Sequence, residues 1–218
     1  MKSRKLAAVG ATLALAVGSV IGLGAAASGV EVPIDSIGTE GASYPAGTWF
    51  VGNPAGPALS QDAAGLTIPA RNQVLYGQSI SGVDSEEFAD LIAGASFKAN
   101  GPLTFQVPVF FDGEANTQFT TLRPAVTGTP VTTTKWVSSQ SVAGLDKNVE
   151  YSFDDILKAF DTAEGDAEVL AFGVLSYGEG SSAVLQSVTW NGTTWTFATP
   201  LPTAVVPTPV KDSATFTG

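Results

Sequence analysis

The stretch that decides the fold reads SVTWNGTTWTF and occupies residues 187–197. Asn191 and Gly192 are the favoured pair for a type I′ turn, because both turn positions need a positive φ. A two-residue loop at this point pairs Trp190 with Thr193. Period-2 alternation then places four large apolar side chains on one face of the hairpin: Val188, Trp190, Trp195 and Phe197. We therefore predict a β-hairpin with one core face and one polar face.

The chain upstream of the hairpin repeats this pattern of short β-rich runs separated by Gly, Pro, Asn and Asp. Such spacing is typical of an all-β sandwich or barrel. The sequence predicts a jelly-roll-like antiparallel β-sandwich with one or two short helices. The runs predicted as strands are Thr48–Val51, Gly65–Ile68, Gln73–Ile80, Leu103–Asp112, Thr117–Leu122, Pro130–Val137, Glu168–Ser176, Ala183–Trp190 and Thr193–Thr199.

Two segments carry helical rather than strand periodicity. Ser152 is a good N-cap for a helix over Phe153–Phe160, and the first turn holds acidic residues, which the helix dipole favours. The apolar residues of this segment recur at i, i+3, i+4 and i+7, so one stripe should dock on the sandwich. A shorter helix is predicted over Ser85–Ala93, capped by Asp84 or Ser85 and ended by Gly94.

The two ends of the chain differ in composition from the middle. Residues 1–27 combine a basic start, an uncharged apolar run and a small-residue end at Ala25–Ala27, the pattern of a secretory signal peptide. We expect a flexible lead-in or a first irregular strand over residues 28–43, one domain over residues 44–199, and a disordered Pro/Thr-rich tail over residues 200–218. The expected location is extracellular, with cell-wall association an open alternative.

The net charge and the absence of Cys and His exclude several classes of function. Three of the ten basic residues lie in the predicted signal peptide, so the remaining chain has seven basic and 20 acidic residues and a net charge of −13. Such a chain repels nucleic acid and anionic membranes, and we expect neither as a partner. The chain has no Cys and no His, which excludes Ser-His-Asp catalysis and His-based zinc sites. Among carboxylates, Glu150 and Glu168 flank predicted strands and are the pair to consider for glycoside hydrolysis.

An acidic segment between the second helix and the next strand offers oxygen ligands. Asp161, Glu164, Asp166 and Glu168 alternate with small residues around Gly165. Hard cations such as Ca²⁺ take six to eight oxygen ligands, so calcium is a candidate cofactor here. The spacing is not that of an EF-hand, and a solvated loop is the alternative interpretation.

Aromatic residues are candidate platforms for sugar rings, whose C–H faces are apolar. Trp190 and Trp195 share a face with the predicted core and are assigned to it. The candidate ligand-binding residues are Trp136, Tyr177, Trp49 and Tyr44. We expect Trp136 to be exposed because a polar run precedes it, and Tyr177 to stand at an end loop of the sandwich.

Part of the chain resembles a known class of module. The segments that carry the resemblance are Trp136 with Ser138-Ser139, residues 151–160, residues 167–174 and residues 187–197. They are similar to the C-terminal half of jelly-roll, concanavalin-like modules of secreted actinobacterial proteins. The resemblance implies a β-sandwich and an association with extracellular polysaccharide handling or the cell surface, and it carries over no functional residue.

These observations favour a secreted, non-catalytic module that binds an extracellular glycan or cell-envelope polymer. A structural or adhesive surface protein, which binds protein partners or itself through a sheet edge, is the alternative. A third possibility is a polysaccharide-active enzyme that uses carboxylates and tyrosine.

Overall fold

The computed structural model describes residues 29–41, 44–112, 117–163, 167–176 and 182–199. These residues form an all-β sandwich with two short helices. The strands, numbered in chain order, are β1 Val30–Glu31, β2 Gly38–Thr39, β3 Trp49–Val51, β4 Ser60–Asp62, β5 Gly65–Ile68, β6 Gln73–Ser81, β7 Ser96–Asn100, β8 Leu103–Phe110, β9 Phe119–Pro124, β10 Lys135–Ser138, β11 Glu150–Ser152, β12 Glu168–Ser176, β13 Ala183–Trp190 and β14 Thr193–Thr196. The helices are α1 Ser85–Ala93 and α2 Phe153–Thr162.

The strands form two sheets that pack face to face. The eight-stranded sheet has the order β11-β10-β9-β8-β12-β6-β3-β2. The six-stranded sheet has the order β1-β14-β13-β5-β4. Within it, β5 and β14 pair with successive parts of one edge of β13, and β7 pairs with the opposite edge of β13. All central pairings are antiparallel, as predicted, whereas the short pairings of β1 with β14 and of β2 with β3 are parallel.

The C-terminal hairpin has the predicted register. Trp190 lies opposite Thr193, and the turn residues Asn191 and Gly192 have φ of 45° and 75°. All four side chains of the predicted core face are buried: Val188, Trp190, Trp195 and Phe197. The turn chemistry and the alternation of side chains together therefore specify this element.

The core between the sheets is rich in stacked aromatic rings. Trp190 lies 4.7 Å from Phe172 and 5.9 Å from Phe105, measured between ring centroids, with interplanar angles of 9° and 20°. Removing each such ring from water contributes roughly 1.5–3 kcal/mol, before the cost of ordering it is counted. Trp190 also donates its indole N–H to Gln78 Oε1 at 3.1 Å, so this large side chain is buried without an unpaired donor.

Both predicted helices are present with the predicted caps. Asp84 accepts the N–H of Glu87 at the start of α1, and Ser152 accepts the N–H of Asp155 at the start of α2. The helices pack against each other through Phe88 and Phe160, whose centroids are 4.1 Å apart. No helix among the described residues is long and apolar enough to cross a membrane.

The sequence prediction missed several short strands. The missed strands are β4, β7 and β11, whereas residues 29–41, for which an irregular strand was one of two expectations, supply β1 and β2, one to each sheet. The predicted strand over Pro130–Val137 is instead a 3₁₀ turn at Pro130–Thr132 followed by β10. Residues 1–28 and 200–218, with the predicted signal peptide and tail, lie outside the described residues.

The outer face of the eight-stranded sheet is half covered. Tyr44 lies over Phe50 at a centroid distance of 5.4 Å and packs with Leu75. Gly77 permits this cover, because a Cβ there would lie 2.1 Å from the carbonyl oxygen of Pro45. Residues 44–46 cover β3, β6 and β12. The open part of this face lies at β9 to β11, where Arg123 is partly exposed and Glu150 is exposed, whereas the outward residues Thr104 and Gln106 of β8 are buried.

Candidate functional site

The open part of the outer face holds a polar pocket. We call it the sheet-face pocket and define it by side chains from β8 to β11 and the adjoining loops: Thr104, Arg123, Ala125, Thr127, Val137, Asn148 and Glu150. Its volume is about 530 Å³. Ligand pockets commonly measure about 300–1,000 Å³, so the sheet-face pocket lies within that range.

The strand register places opposite charges on either side of an apolar residue. Val137 in β10 is the cross-strand partner of Arg123 in β9 and of Glu150 in β11. Neighbouring strands are about 4.8 Å apart, so the two charged residues arise from backbone roughly 10 Å apart. The pocket therefore presents a cation, a carboxylate and a small apolar floor between them.

Asn148 completes the polar rim and is held in place by its backbone. Its N–H bonds to the carbonyl of Ser138 at 2.8 Å, and its φ is 57°, a left-handed conformation that Asn tolerates better than most residues. The Arg123 guanidinium donates to Asn148 Oδ1 at 3.1 Å. The loop before β11 is thus fixed against the edge of the sheet, with its amide facing Arg123.

Trp136 does not stand on the surface, and the expectation that it is exposed is wrong. Its side chain is 0 % exposed and packs 5.7 Å from the ring of Phe153, between centroids. Alternation along β10 explains this, because Val137 faces outward and its neighbour must face the core. A fully buried indole offers no ring face to a sugar at the surface, so Trp136 is a core residue here.

The other predicted aromatic platforms are differently placed. Tyr44 is partly buried over Phe50, and burial together with the charge of Glu40 raises the pKa of its phenol to about 12. Trp49 is 4 % exposed and points into the core, where its ring meets Phe172 at 5.8 Å. Tyr177 lies outside the described residues. Trp49 and Trp136 are thus buried and Tyr44 is partly buried, and none of the three lines the sheet-face pocket.

The predicted calcium ligands are only partly described. Asp161 is exposed near the end of α2, and Glu168 is partly buried at the start of β12. Glu164 and Asp166 lie outside the described residues. The described part of the chain holds no group of three or more acidic, His or Cys side chains that could ligate a metal. Calcium binding by this segment stays a prediction.

The two carboxylates considered for glycoside hydrolysis lie far apart. Glu150 is in β11 and Glu168 is in β12, which are separated by three strands of the same sheet. Four inter-strand steps amount to roughly 19 Å, whereas paired catalytic carboxylates lie about 5–10 Å apart. These two residues therefore cannot act on one glycosidic bond.

The polar residues of the sheet-face pocket were mostly missed by the sequence analysis. Glu150 was considered only as a catalytic acid, and Arg123 and Asn148 carry no motif. The available signal is the alternation of β9, where Arg123 falls between the buried residues Leu122 and Pro124 and must therefore face outward. Comparisons with protein-family models, curated proteins and solved structures gave no match to this chain.

Proposed function

We propose that this protein is a secreted, non-catalytic module that binds an extracellular glycan or cell-envelope polymer through the sheet-face pocket. The observation that carries the proposal is the combination of hydrogen-bond donors and acceptors from Arg123, Asn148 and Glu150 around an apolar floor, in one pocket on the outer face of the eight-stranded sheet. Secretion rests on the N-terminal sequence pattern.

The chemistry of the pocket suits a sugar. A sugar hydroxyl both donates and accepts hydrogen bonds. Arg123 supplies donors, Glu150 supplies acceptors, and Asn148 supplies both. Val137 and Ala125 offer apolar contacts to the C–H faces of the ring. In this proposal polar side chains take over the role that the sequence analysis gave to aromatic platforms.

The surroundings of the pocket favour a neutral polymer over a polyanion. Arg123 and Glu150 balance each other in charge within the pocket. The sequence as a whole is strongly acidic, with a formal net charge of −10. Long-range repulsion therefore opposes nucleic acid and other polyanions, and it leaves neutral sugars unaffected.

A depletion assay tests the proposal. The full chain is incubated with insoluble polysaccharides and purified cell walls, with and without Ca²⁺, and the unbound fraction is measured. We expect saturable binding to at least one polymer. We expect Glu150→Gln to weaken it about tenfold or more, as the loss of hydrogen bonds to a charged group implies. Glu86→Gln removes the same charge from an exposed position on α1 and is the matched control.

The outcomes separate the competing interpretations. Equal binding by Glu150→Gln and Glu86→Gln would place the polymer elsewhere on the protein. Binding that requires Ca²⁺ would direct attention to Asp161 and Glu168. Failure to bind any polymer would contradict the proposal.

A second candidate function, adhesion through a sheet edge, is favoured by one observation. In β13, Val184 pairs with Thr67 in β5 and also with Asn100 in β7, so β7 lies alone on one side of β13. Among the described strands, β7 has no partner on its other edge, and open edges can pair with another chain. Lys98 in this short strand opposes such pairing. Sizing at increasing concentration tests it, since self-association would shift the elution position.

A further inference from the structure

A groove lined by aliphatic and proline side chains lies between the N-terminal segment and the loop that precedes β4. We call it the proline groove and define it by six apolar residues: Ile34, Ile37, Val51, Pro54, Pro57 and Leu59. Its volume is about 240 Å³, and it shares no lining residue with the sheet-face pocket. It is therefore a separate surface feature, which the proposed glycan site does not explain.

The apolar side chains of the proline groove are open to solvent. Ile34, Pro54 and Pro57 are exposed, and the other three residues are partly buried. Ile34 is 38 % exposed and is one of the few large hydrophobic side chains left exposed in the described part of the chain. The described residues that line the groove include no charged side chain. An exposed apolar surface of this kind is typical of an interaction site.

Hydrogen bonds hold both walls of the proline groove in place. Asn72 donates its side-chain amide to the carbonyl oxygen of Pro57 at 3.0 Å, and its Oδ1 accepts the N–H of Gln73 at 2.8 Å. On the N-terminal side, the N–H of Ile34 donates to Gln61 Oε1 at 2.7 Å. The groove is therefore formed before anything binds, so docking requires little rearrangement.

The described residues of the C-terminal end lie beside this groove. Gln61 Nε2 donates to the carbonyl oxygen of Phe197 at 2.6 Å, and the N–H of Thr199 donates to the carbonyl oxygen of Asp62 at 3.0 Å. The side chain that fixes the N-terminal wall therefore also contacts the end of the domain. Leu59 lines the groove and precedes Asp62 by three positions, or roughly 10 Å of extended chain. The segment that follows Thr199 thus starts within reach of the groove.

This following segment matches the groove in chemistry. Residues 200–210 read PLPTAVVPTPV and contain four prolines and no charged residue, with apolar side chains that include Leu201, Val205 and Val206. Such a sequence favours a polyproline II conformation, which adds about 3.1 Å per residue, so the segment spans roughly 34 Å. Because proline restricts the segment before it docks, less conformational entropy is lost on binding.

We propose that residues 200–210 dock in the proline groove of the same chain, with Val205 and Val206 supplying the apolar contacts. Docking removes apolar surface of the segment and of the groove from water. The covalent link raises the effective concentration of the segment at the groove, so even a weak contact is populated. The proposal does not depend on glycan binding, and either can fail without the other.

Thiol labelling of the full chain tests the proposal, because the chain has no Cys and an introduced one is unique. Ala58 is exposed and lines the groove, so Ala58→Cys reports on access to it. The rate of alkylation is compared with that of a chain that also carries Val205→Ser and Val206→Ser. We expect the unmodified segment to slow labelling about threefold or more, which corresponds to a groove occupied roughly two thirds of the time.

Ala93→Cys is the matched control for labelling. Ala93 is exposed at the end of α1 and does not line the proline groove. Its labelling rate should be the same with and without the two serine substitutions. Neither Ala58 nor Ala93 is buried, and Val205 and Val206 lie outside the described residues, so the fold should be preserved. Circular dichroism checks this.

A disulfide between two introduced Cys residues identifies the chain on which the segment docks. Ala58→Cys combined with Ala204→Cys should form an intramolecular bond under mild oxidation, because a disulfide needs Cβ atoms about 3.5–4.5 Å apart. The pair Ala93→Cys and Ala204→Cys should react at least about tenfold more slowly. Electrophoresis without reductant separates monomers with a closed disulfide from linked dimers.

Three results would overturn the inference. Equal labelling of Ala58→Cys with and without the serine substitutions would show that residues 200–210 do not occupy the groove. Equal rates of disulfide formation by the two Cys pairs would show that the segment has no preferred site on the surface. Linked dimers as the main product would assign the groove to a second copy of the chain.

Discussion

Replacement of Trp136 distinguishes a core residue from a surface platform. The indole is fully buried, packs against Phe153 and lies beside Ile92 of α1, so Trp136→Ala leaves a large cavity between the helices and β10. Substitutions of Trp or Phe by Ala in cores cost about 3–5 kcal/mol. For a domain of this size that corresponds to a fall of roughly 6–20 °C in melting temperature.

Trp136→Phe is the informative partner variant. It keeps a ring in the cavity and removes an indole N–H that is buried with no acceptor among the described residues. An unpaired buried donor costs about 1–3 kcal/mol, which offsets part of the packing that the smaller ring loses. We therefore expect Trp136→Phe to lose less than about 2 kcal/mol and to keep its affinity for any captured polymer.

Urea denaturation followed by circular dichroism measures the free energies of unfolding of Trp136→Ala and Trp136→Phe. The depletion assay measures polymer binding by the folded Trp136→Phe variant. A loss in Trp136→Ala of only about 0.5 kcal/mol, which is typical of a surface substitution, would refute the burial of this side chain. Loss of polymer binding in a fully folded Trp136→Phe variant would indicate that Trp136 contacts the ligand.

Three further predictions concern local elements of the fold. Ser152→Ala removes the cap of α2 and should lower the free energy of unfolding by about 1 kcal/mol in urea denaturation. Hydrogen bonds from Lys158 and then Ser152 lower the pKa of Asp155 to about 2, so its carboxylate stabilises the fold above the ordinary value of 3.8, and this stabilisation is lost as the pH falls toward 2. Asp155→Asn should therefore flatten the dependence of melting temperature on pH across this acidic window. Gly192→Ala places a Cβ at a φ of 75° and should cost about 1–2 kcal/mol, measured as a lower melting temperature.

A specific result would contradict each of these three predictions. A Ser152→Ala variant as stable as the parent would show that the cap contributes nothing measurable to α2. An Asp155→Asn variant with the parent's acid profile would mean that this carboxylate has the same pKa in the folded and unfolded chain. A Gly192→Ala variant of unchanged stability would argue against the left-handed turn.

The elements that were predicted best from the sequence are those whose structure is determined by residues close together in the chain. The Asn191-Gly192 turn, the period-2 faces beside it and the caps at Asp84 and Ser152 each depend on residues a few positions apart. Such local patterns also gave the all-β class. The bounds and pairing of the short strands β1 and β2 could not be predicted, because two residues show no periodicity and their pairing is set by distant strands.

The candidate site was less accessible to sequence reasoning. Trp136 was expected at the surface because polar threonines precede it, but they belong to a 3₁₀ turn and its exit, and the strand begins at Lys135. Arg123 and Asn148 are 25 residues apart and meet only through the register of β9, β10 and the following loop. No local sequence pattern determines that register, so the site can be recognised only once the pairing of the strands is known.

Glycan binding by the sheet-face pocket is tested by a depletion isotherm of the Arg123→Ala variant. The isotherm is measured on the polymer that the unmodified chain captures, beside Lys98→Ala, which removes one positive charge from the edge of the other sheet. We expect at least a tenfold loss of affinity for Arg123→Ala and none for Lys98→Ala, with both variants folded. Equal affinity in the two variants would mean that the sheet-face pocket does not bind the polymer.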